Sequence, residues 1–208
     1  MKRVLYFHGF ASSPASSKIT SLRPLLAPDI ELITPDLNIP SFERLDWNAI
    51  LEVARKEMSI KPDAIAGSSM GALVALSIAT PSTPLVLIAP ALGIADRWLS
   101  KLPAGDPISV YNHARGIEVP IHRAFFEQMF QVRVDETAPV SRVTVIMGRN
   151  DESVPFDLVE ERWTQWESSG QLGEGSRFIE IPDGDHGLTQ HAELIAREIR
   201  KSVSYPSS

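Results

Sequence analysis

Ala64-Ile65-Ala66-Gly67-Ser68-Ser69-Met70-Gly71-Ala72-Leu73 carries three structural signals in one short stretch. An apolar run leads into a glycine- and serine-rich turn, and apolar residues with helical spacing follow, so the pattern predicts a strand over 64–66, a tight turn, and a helix over 70–80. The turn itself reads G-x-S-x-G. A serine held on a sharp strand-to-helix turn adopts strained backbone angles and brings the residues two positions either side of it into close approach. Glycine at 67 and 71 removes the side chains that would collide there. Ser69 is then expected to raise its hydroxyl above the sheet, with the N–H of Met70 aimed at the centre that hydroxyl attacks. A glycine- and serine-rich turn that merely joins a strand to a helix has the same letters, and the flanking strand and helix are what favour a nucleophile.

Working outward, further short runs rich in β-branched and aromatic residues lie at 4–7, 31–35, 85–89, 143–147 and 178–181, and segments of helical spacing lie near 14–26, 42–59, 156–168 and 189–203. Such alternation belongs to a parallel sheet covered by crossover helices. Ser13-Pro14 offers a cap and first position for one helix, and Val154-Pro155 opens the helix that holds Trp163 and Trp166. Residues 93–140 break the alternation. They are expected to form an insertion over one edge of the sheet, with Trp98, Phe125 and Phe126 either walling an apolar pocket or, the more usual role, filling core. The low-complexity end, 202–208, is expected to fray.

With 208 residues, 43% hydrophobic and 22% charged, the chain is expected to form one domain with a sizeable core. Twenty Lys and Arg against 26 Asp and Glu give a net charge of −6, and no basic cluster breaks the acidity, so nucleic acid and anionic membranes are poor partners. The absence of cysteine excludes disulfides, thiolate zinc sites and a cysteine nucleophile. The N-terminal apolar run stops at His8, short of a signal-peptide core, and no run reaches the roughly 18 apolar residues of a membrane span, so the expected location is the cytoplasm.

A serine hydroxyl needs a histidine base, and the base needs a carboxylate to hold its tautomer. Of the five histidines, His186 sits between the last strand and the last helix with glycines at 184 and 187 to let its ring turn inward. His8 ends the first strand; His113, His122 and His191 are expected to be bystanders. Asp151 is the first acid beyond the strand at 143–147. It competes with Glu152, Asp183 and Asp185, the last two being too near His186 in sequence to approach its ring from behind, and it has the alternative of only capping the next helix or pairing with Arg149.

The chain order Ser69, Asp151, His186 resembles that of the α/β-hydrolase superfamily, and the resemblance covers nearly the whole sequence. His8-Gly9-Phe10 looks like the superfamily's HGX turn, which implies that the N–H of Phe10 joins that of Met70 in an oxyanion hole. Gly148-x-x-Asp151-x-x-Val154-Pro155 looks like its acid loop and Gly184-x-His186-Gly187 like its histidine loop. Residues 6–14 with 67–71 are similar to small bacterial YqiA-like esterases, although Ala72 stands where that group often has another glycine. The resemblance implies a trimmed α/β-hydrolase fold with about six mostly parallel strands, lacking the first two strands of the larger pattern, flanked by helices and bearing a helical insertion. It implies a serine hydrolase of the carboxylesterase or thioesterase type, acting on a small acyl substrate with no cofactor and no metal. A non-catalytic ligand-binding or sensing protein on the same scaffold is the alternative. A phosphate-binding glycine loop is disfavoured, because the strand at 85–89 ends at Pro90-Ala91 without the acid such folds place there.

Overall fold

The computed structural model describes residues 1–98, 101–112, 115–131 and 133–204. In chain order its elements are β1 (Lys2–Phe7), α1 (Ser17–Leu26), β2 (Ile30–Ile33), α2 (Trp47–Glu57), β3 (Ala64–Ser68), α3 (Met70–Ile78), β4 (Leu85–Ile88), α4 (Ile94–Trp98), β5 (Ile108–Asn112), β6 (Ile117–Ile121), α5 (Arg123–Gln131), β7 (Val143–Gly148), α6 (Phe156–Ser168), β8 (Arg177–Ile181) and α7 (Ala192–Val203). Six strands pair in the order β2-β1-β3-β4-β7-β8, and every pairing is parallel.

The central strands β3, β4 and β7 are buried along their whole length. This is why they read as unbroken apolar runs rather than alternating ones, since a parallel sheet is covered on both faces. α3 is likewise apolar nearly all round and buried on almost every side. From β1 the chain steps one way to β2, and from β2 it returns past β1 to β3 and onward. Right-handed crossovers then send α1 to one face and α2, α3 and α6 to the other. The packing of α1 on α7 and of α2 on α3 agrees with that division. The reversal leaves a crevice beyond the carboxyl ends of β1 and β3, the place where open α/β sheets bind ligands.

Local sequence explains most departures from the expected boundaries. The helix expected from Pro14 begins only at Ser17, and Ser13 closes a turn ahead of it, its hydroxyl accepting the Ala15 N–H at 3.3 Å. Residues 9–16 instead cross the end of the sheet, with Ala11 at φ 54° and the Ser12 carbonyl held by Asn38. The single helix expected over 42–59 is divided into a 3-10 turn, Phe42–Arg44, and α2. Asp46 causes the break by accepting the Ala49 N–H at 2.8 Å as a helix cap. α7 takes in Ser202 and Val203, both buried, where fraying was expected; residues 205–208 lie outside the described residues.

Between β4 and β7 the chain forms α4, the antiparallel pair β5–β6, and α5. The hairpin was not expected, because Pro107 before β5 and Pro120 within β6 interrupt the strand pattern. This segment leans toward the β1 and β2 side, where β6 and α5 meet the 42–44 turn and α2. Its two ends are tied together by the buried Asp135, whose carboxylate accepts the Gly93 N–H at 2.7 Å and lies 3.6 Å from Arg162. The Asp135 carbonyl accepts the Trp166 indole N–H at 2.8 Å.

At the far side of the sheet, a Cβ added to Gly148 would lie 2.3 Å from the Gly184 carbonyl oxygen. Both groups are backbone, so neither can swing aside. Gly148→Ala is expected to lower stability by about 3 kcal/mol, at the upper end of the range for overpacked sites, which a reduced urea midpoint at unchanged m-value would register.

Candidate active site

Ser69 lies between the end of β3 and the first residue of α3, at φ 53° and ψ −121°. A positive φ costs a serine about 1–3 kcal/mol, and the surrounding structure must supply it. It does so from two sides. Gly67 and Gly71 approach so closely that a Cβ on Gly67 would lie 2.3 Å from the Gly71 carbonyl oxygen, and one on Gly71 2.2 Å from that of Phe7. The Ser69 N–H donates to the Ile88 carbonyl at 3.1 Å, and the Ser69 carbonyl accepts from Ala91 at 3.2 Å, so β4 and its following loop hold the turn in place. Beneath it the buried Tyr6 hydroxyl donates to Ser68 Oγ at 3.1 Å. Burial pushes the Tyr6 phenol far above its ordinary range, keeping it a neutral donor.

Gly9, after β1, faces this serine: a Cβ there would meet Ser69 Cβ at 3.2 Å and Oγ at 3.9 Å. The next residue, Phe10, is half-buried, its ring centroid 5.7 Å from Phe42, 5.8 Å from Phe125 and 5.6 Å from Phe126. Phe125 and Phe126 are therefore core that grips the loop, whereas Trp98 lies on the surface. The Met70 N–H stands first in α3, where no carbonyl one turn back can accept it. The Phe10 N–H makes no backbone hydrogen bond among the described residues. Of the loop after β1, it is Gly9 that borders the Ser69 side chain, one residue before Phe10.

On the loops after β7 and β8, His186 Nδ1 lies 2.7 Å from Asp151 Oδ2. The other carboxylate oxygen, Oδ1, accepts the N–H groups of Ser153 and Val154, each at 2.8 Å. Asp151 therefore both caps the turn before α6 and meets the imidazole. Its side chain has no exposed surface, while that of His186 is 31% exposed. A carboxylate acceptor at Nδ1 puts the proton on that nitrogen and leaves Nε2 with a lone pair. The two loops are stitched together by Arg149 N–H to Ile181 and Asn150 N–H to Gly184, both 2.9 Å.

The rival acids are engaged elsewhere. Asp185 accepts the Leu188 N–H at 2.7 Å, Asp183 lies 3.8 Å from His191, Glu152 is exposed, and Arg149 pairs with Glu180. His122 is an exposed partner of Asp106, His191 precedes α7 rather than lying within it, and His113 is outside the described residues. Among those residues, no hydrogen bond joins the Ser69 hydroxyl to His186, and no group of three or more His, Cys, Asp or Glu is arranged to hold a metal ion.

Two neighbours of the site carried no sequence signal, Asn38, which touches the Ser12 carbonyl, and Lys18, while His8 of the His8-Gly9-Phe10 turn has its ring buried. Lys18 is half-buried at the start of α1, and burial pushes its ammonium down to about 8 despite the opposing charges of Asp151 and Asp185. The folded chain thus binds this proton less tightly than the unfolded one. The penalty is full below pH 8 and fades as pH rises toward the lysine's ordinary 10.5. Lys18→Met, which keeps the stem, is expected to raise the melting temperature at pH 7, with the gain shrinking by pH 9.5 when the two proteins are melted in parallel.

A family model described as "Uncharacterised protein family (UPF0227)" matches residues 3–193. No curated protein matches the sequence. Among solved structures, the chain is similar to Est1E from Butyrivibrio proteoclasticus with ferulic acid bound, at 16% identity and a TM-score of 0.74, covering 99% of this chain and 90% of the other. It is similar to a putative hydrolase from Agrobacterium vitis S4, at 19% identity and a TM-score of 0.72, covering 98% and 88%. A third match is the alpha/beta hydrolase domain-containing protein 10 from mouse, at 18% identity and a TM-score of 0.72, covering 96% and 88%. What is shared at these identities is the fold, and it is the α/β-hydrolase fold.

Proposed function

This chain belongs to the UPF0227 family and has the α/β-hydrolase fold; on that premise we propose that it is a serine hydrolase cleaving small acyl esters, of carboxylesterase or thioesterase type. The observation that carries the proposal is the 2.7 Å contact between His186 and a fully buried Asp151, on loops at the same end of the sheet as the strained Ser69. Esterases among the similar structures support the reaction class.

In this reading His186 Nε2 takes the Ser69 proton as Oγ attacks the acyl carbon, and the carbonyl electron pair moves onto its oxygen. The N–H groups of Phe10 and Met70 hold that oxyanion. Collapse of the tetrahedral species breaks the bond to the leaving alcohol or thiol, which receives the proton from His186. Water then repeats both steps on the acyl-enzyme and releases the acid. Asp151 holds the imidazole in its Nδ1–H tautomer and stabilises the imidazolium. The serine–histidine hydrogen bond is of the kind that often tightens only when substrate is bound. Residues 93–140 act as a cap-like insertion in a single domain, gripping the oxyanion loop through the phenylalanine cluster. No helix among the described residues is long and apolar enough to cross a membrane, and we place the enzyme in the cytoplasm.

Removing an oxyanion donor costs about 2.7–4 kcal/mol, and loss of the nucleophile about 10⁶-fold in kcat. Ser69→Ala is expected to reduce p-nitrophenyl acetate and butyrate hydrolysis to background and to abolish labelling by a fluorophosphonate probe, with the circular dichroism unchanged. Asp151→Asn is expected to lower kcat by about 10⁴, as a wrong histidine tautomer does. Undiminished turnover in the Ser69 variant removes the serine from the mechanism, and a wild-type protein inert to both ester and probe puts the scaffold in a ligand-binding role.

A further inference from the structure

We propose that the turn Asp36-Leu37-Asn38, which follows the edge strand β2, aims the Phe10 N–H at the reacting centre, with His8 and Asn38 as positioning residues. The inference rests on the serine hydrolase reading and adds a set of residues to it. It starts from peptide planarity. The Gly9 carbonyl and the Phe10 N–H belong to one rigid unit, so whatever fixes the direction of the carbonyl fixes that of the N–H. The Gly9 carbonyl is held by His8 Nδ1 at 2.9 Å, and the ring in turn is set by the Leu37 N–H, which donates to Nε2 at 3.0 Å. Because Nε2 accepts, Nδ1 carries the proton and donates to Gly9. Burial holds the His8 pKa below its ordinary value, so the neutral ring persists even though Asp36 lies 3.4 Å from Nε2.

Beyond Phe10 the loop is pinned again. The Asn38 side-chain amide donates to the Ser12 carbonyl at 3.1 Å and to Asp36 Oδ1 at 2.7 Å. The same Asp36 oxygen accepts the Asn38 backbone N–H at 2.9 Å. Both amide hydrogens are thereby spent, one on the carboxylate that orients the group and one on the loop. The Phe10 ring is enclosed by Phe42, Phe125 and Phe126, and its N–H makes no backbone hydrogen bond among the described residues. Two polar struts from one turn therefore flank a residue whose side chain is clamped and whose N–H is free.

The test uses Asn38→Ala and the near-isosteric Asn38→Asp, which keeps the shape and loses the donor; His8 is left intact because its removal from the core endangers folding. With p-nitrophenyl acetate, each variant is expected to lose about tenfold in kcat with KM within about twofold. Affinity for phenylboronic acid, which forms a tetrahedral adduct on Ser69, is expected to fall by the same factor, as the loss of a transition-state contact requires. A merely structural residue would instead lower the melting temperature and leave the kcat and boronate losses uncorrelated. Unchanged kcat and boronate affinity in variants of an active, probe-labelled enzyme overturn the brace alone. A wild-type protein that neither hydrolyses the ester nor takes a fluorophosphonate overturns the serine reading and the brace with it.

Discussion

A methyl group at position 71 would lie 2.2 Å from the Phe7 carbonyl oxygen, and that forbidden distance organises one end of the molecule. The first turn of α3 is pressed against the end of β1 with no side chain between them. Only because of this contact does the turn at Ser69 rise where the loop after β1 passes, bringing Gly9 against the serine side chain. The strain at Ser69 is sustained by hydrogen bonds to β4 and its loop, so the neighbouring strand, and not the turn alone, keeps the hydroxyl raised. A contact of backbone on backbone cannot relax by changing rotamer, which makes it a better reference point for a site than a packed side chain.

Charge is managed differently across the same rim. Asp151 is wholly buried, yet its two oxygens accept two N–H groups and an imidazole. Buried polar atoms are tolerated where hydrogen bonds replace the water they lose. For Lys18, burial outweighs the opposing charges of Asp151 and Asp185. The two groups show how one neighbourhood stabilises an anion through aligned dipoles and leaves a cation uncomfortable.

What the sequence made legible follows from what was local. The elbow, the acid loop and the histidine loop each occupy a few consecutive residues whose spacing is set by a turn, and α6 appears over its expected range, 156–168. The hairpin of β5 and β6 was hidden by Pro107 and Pro120. Where the helix was expected from Pro14, the chain makes turns instead, and a longer-range tie, Asn38 to Ser12, holds that loop. Asn38 and Lys18, and the contact that His8 makes with Leu37, were invisible for the same reason. Their partners lie in other loops, and nothing periodic joins position 8 to 37 or 18 to 151. Asp151 offered a choice between capping and holding a histidine, and the choice was false: a carboxylate has two oxygens, and each does one of these.

The buried Asp135 acts at long range along the chain. By fastening the Gly93 N–H to a side chain 42 residues further on, and by anchoring to Trp166 of α6, it makes the excursion between β4 and β7 leave and rejoin the sheet through a single knot. Changes to the excursion that spare Phe125 and Phe126, which pack on Phe10, therefore leave the register of β4 and β7 to be set by their own pairing.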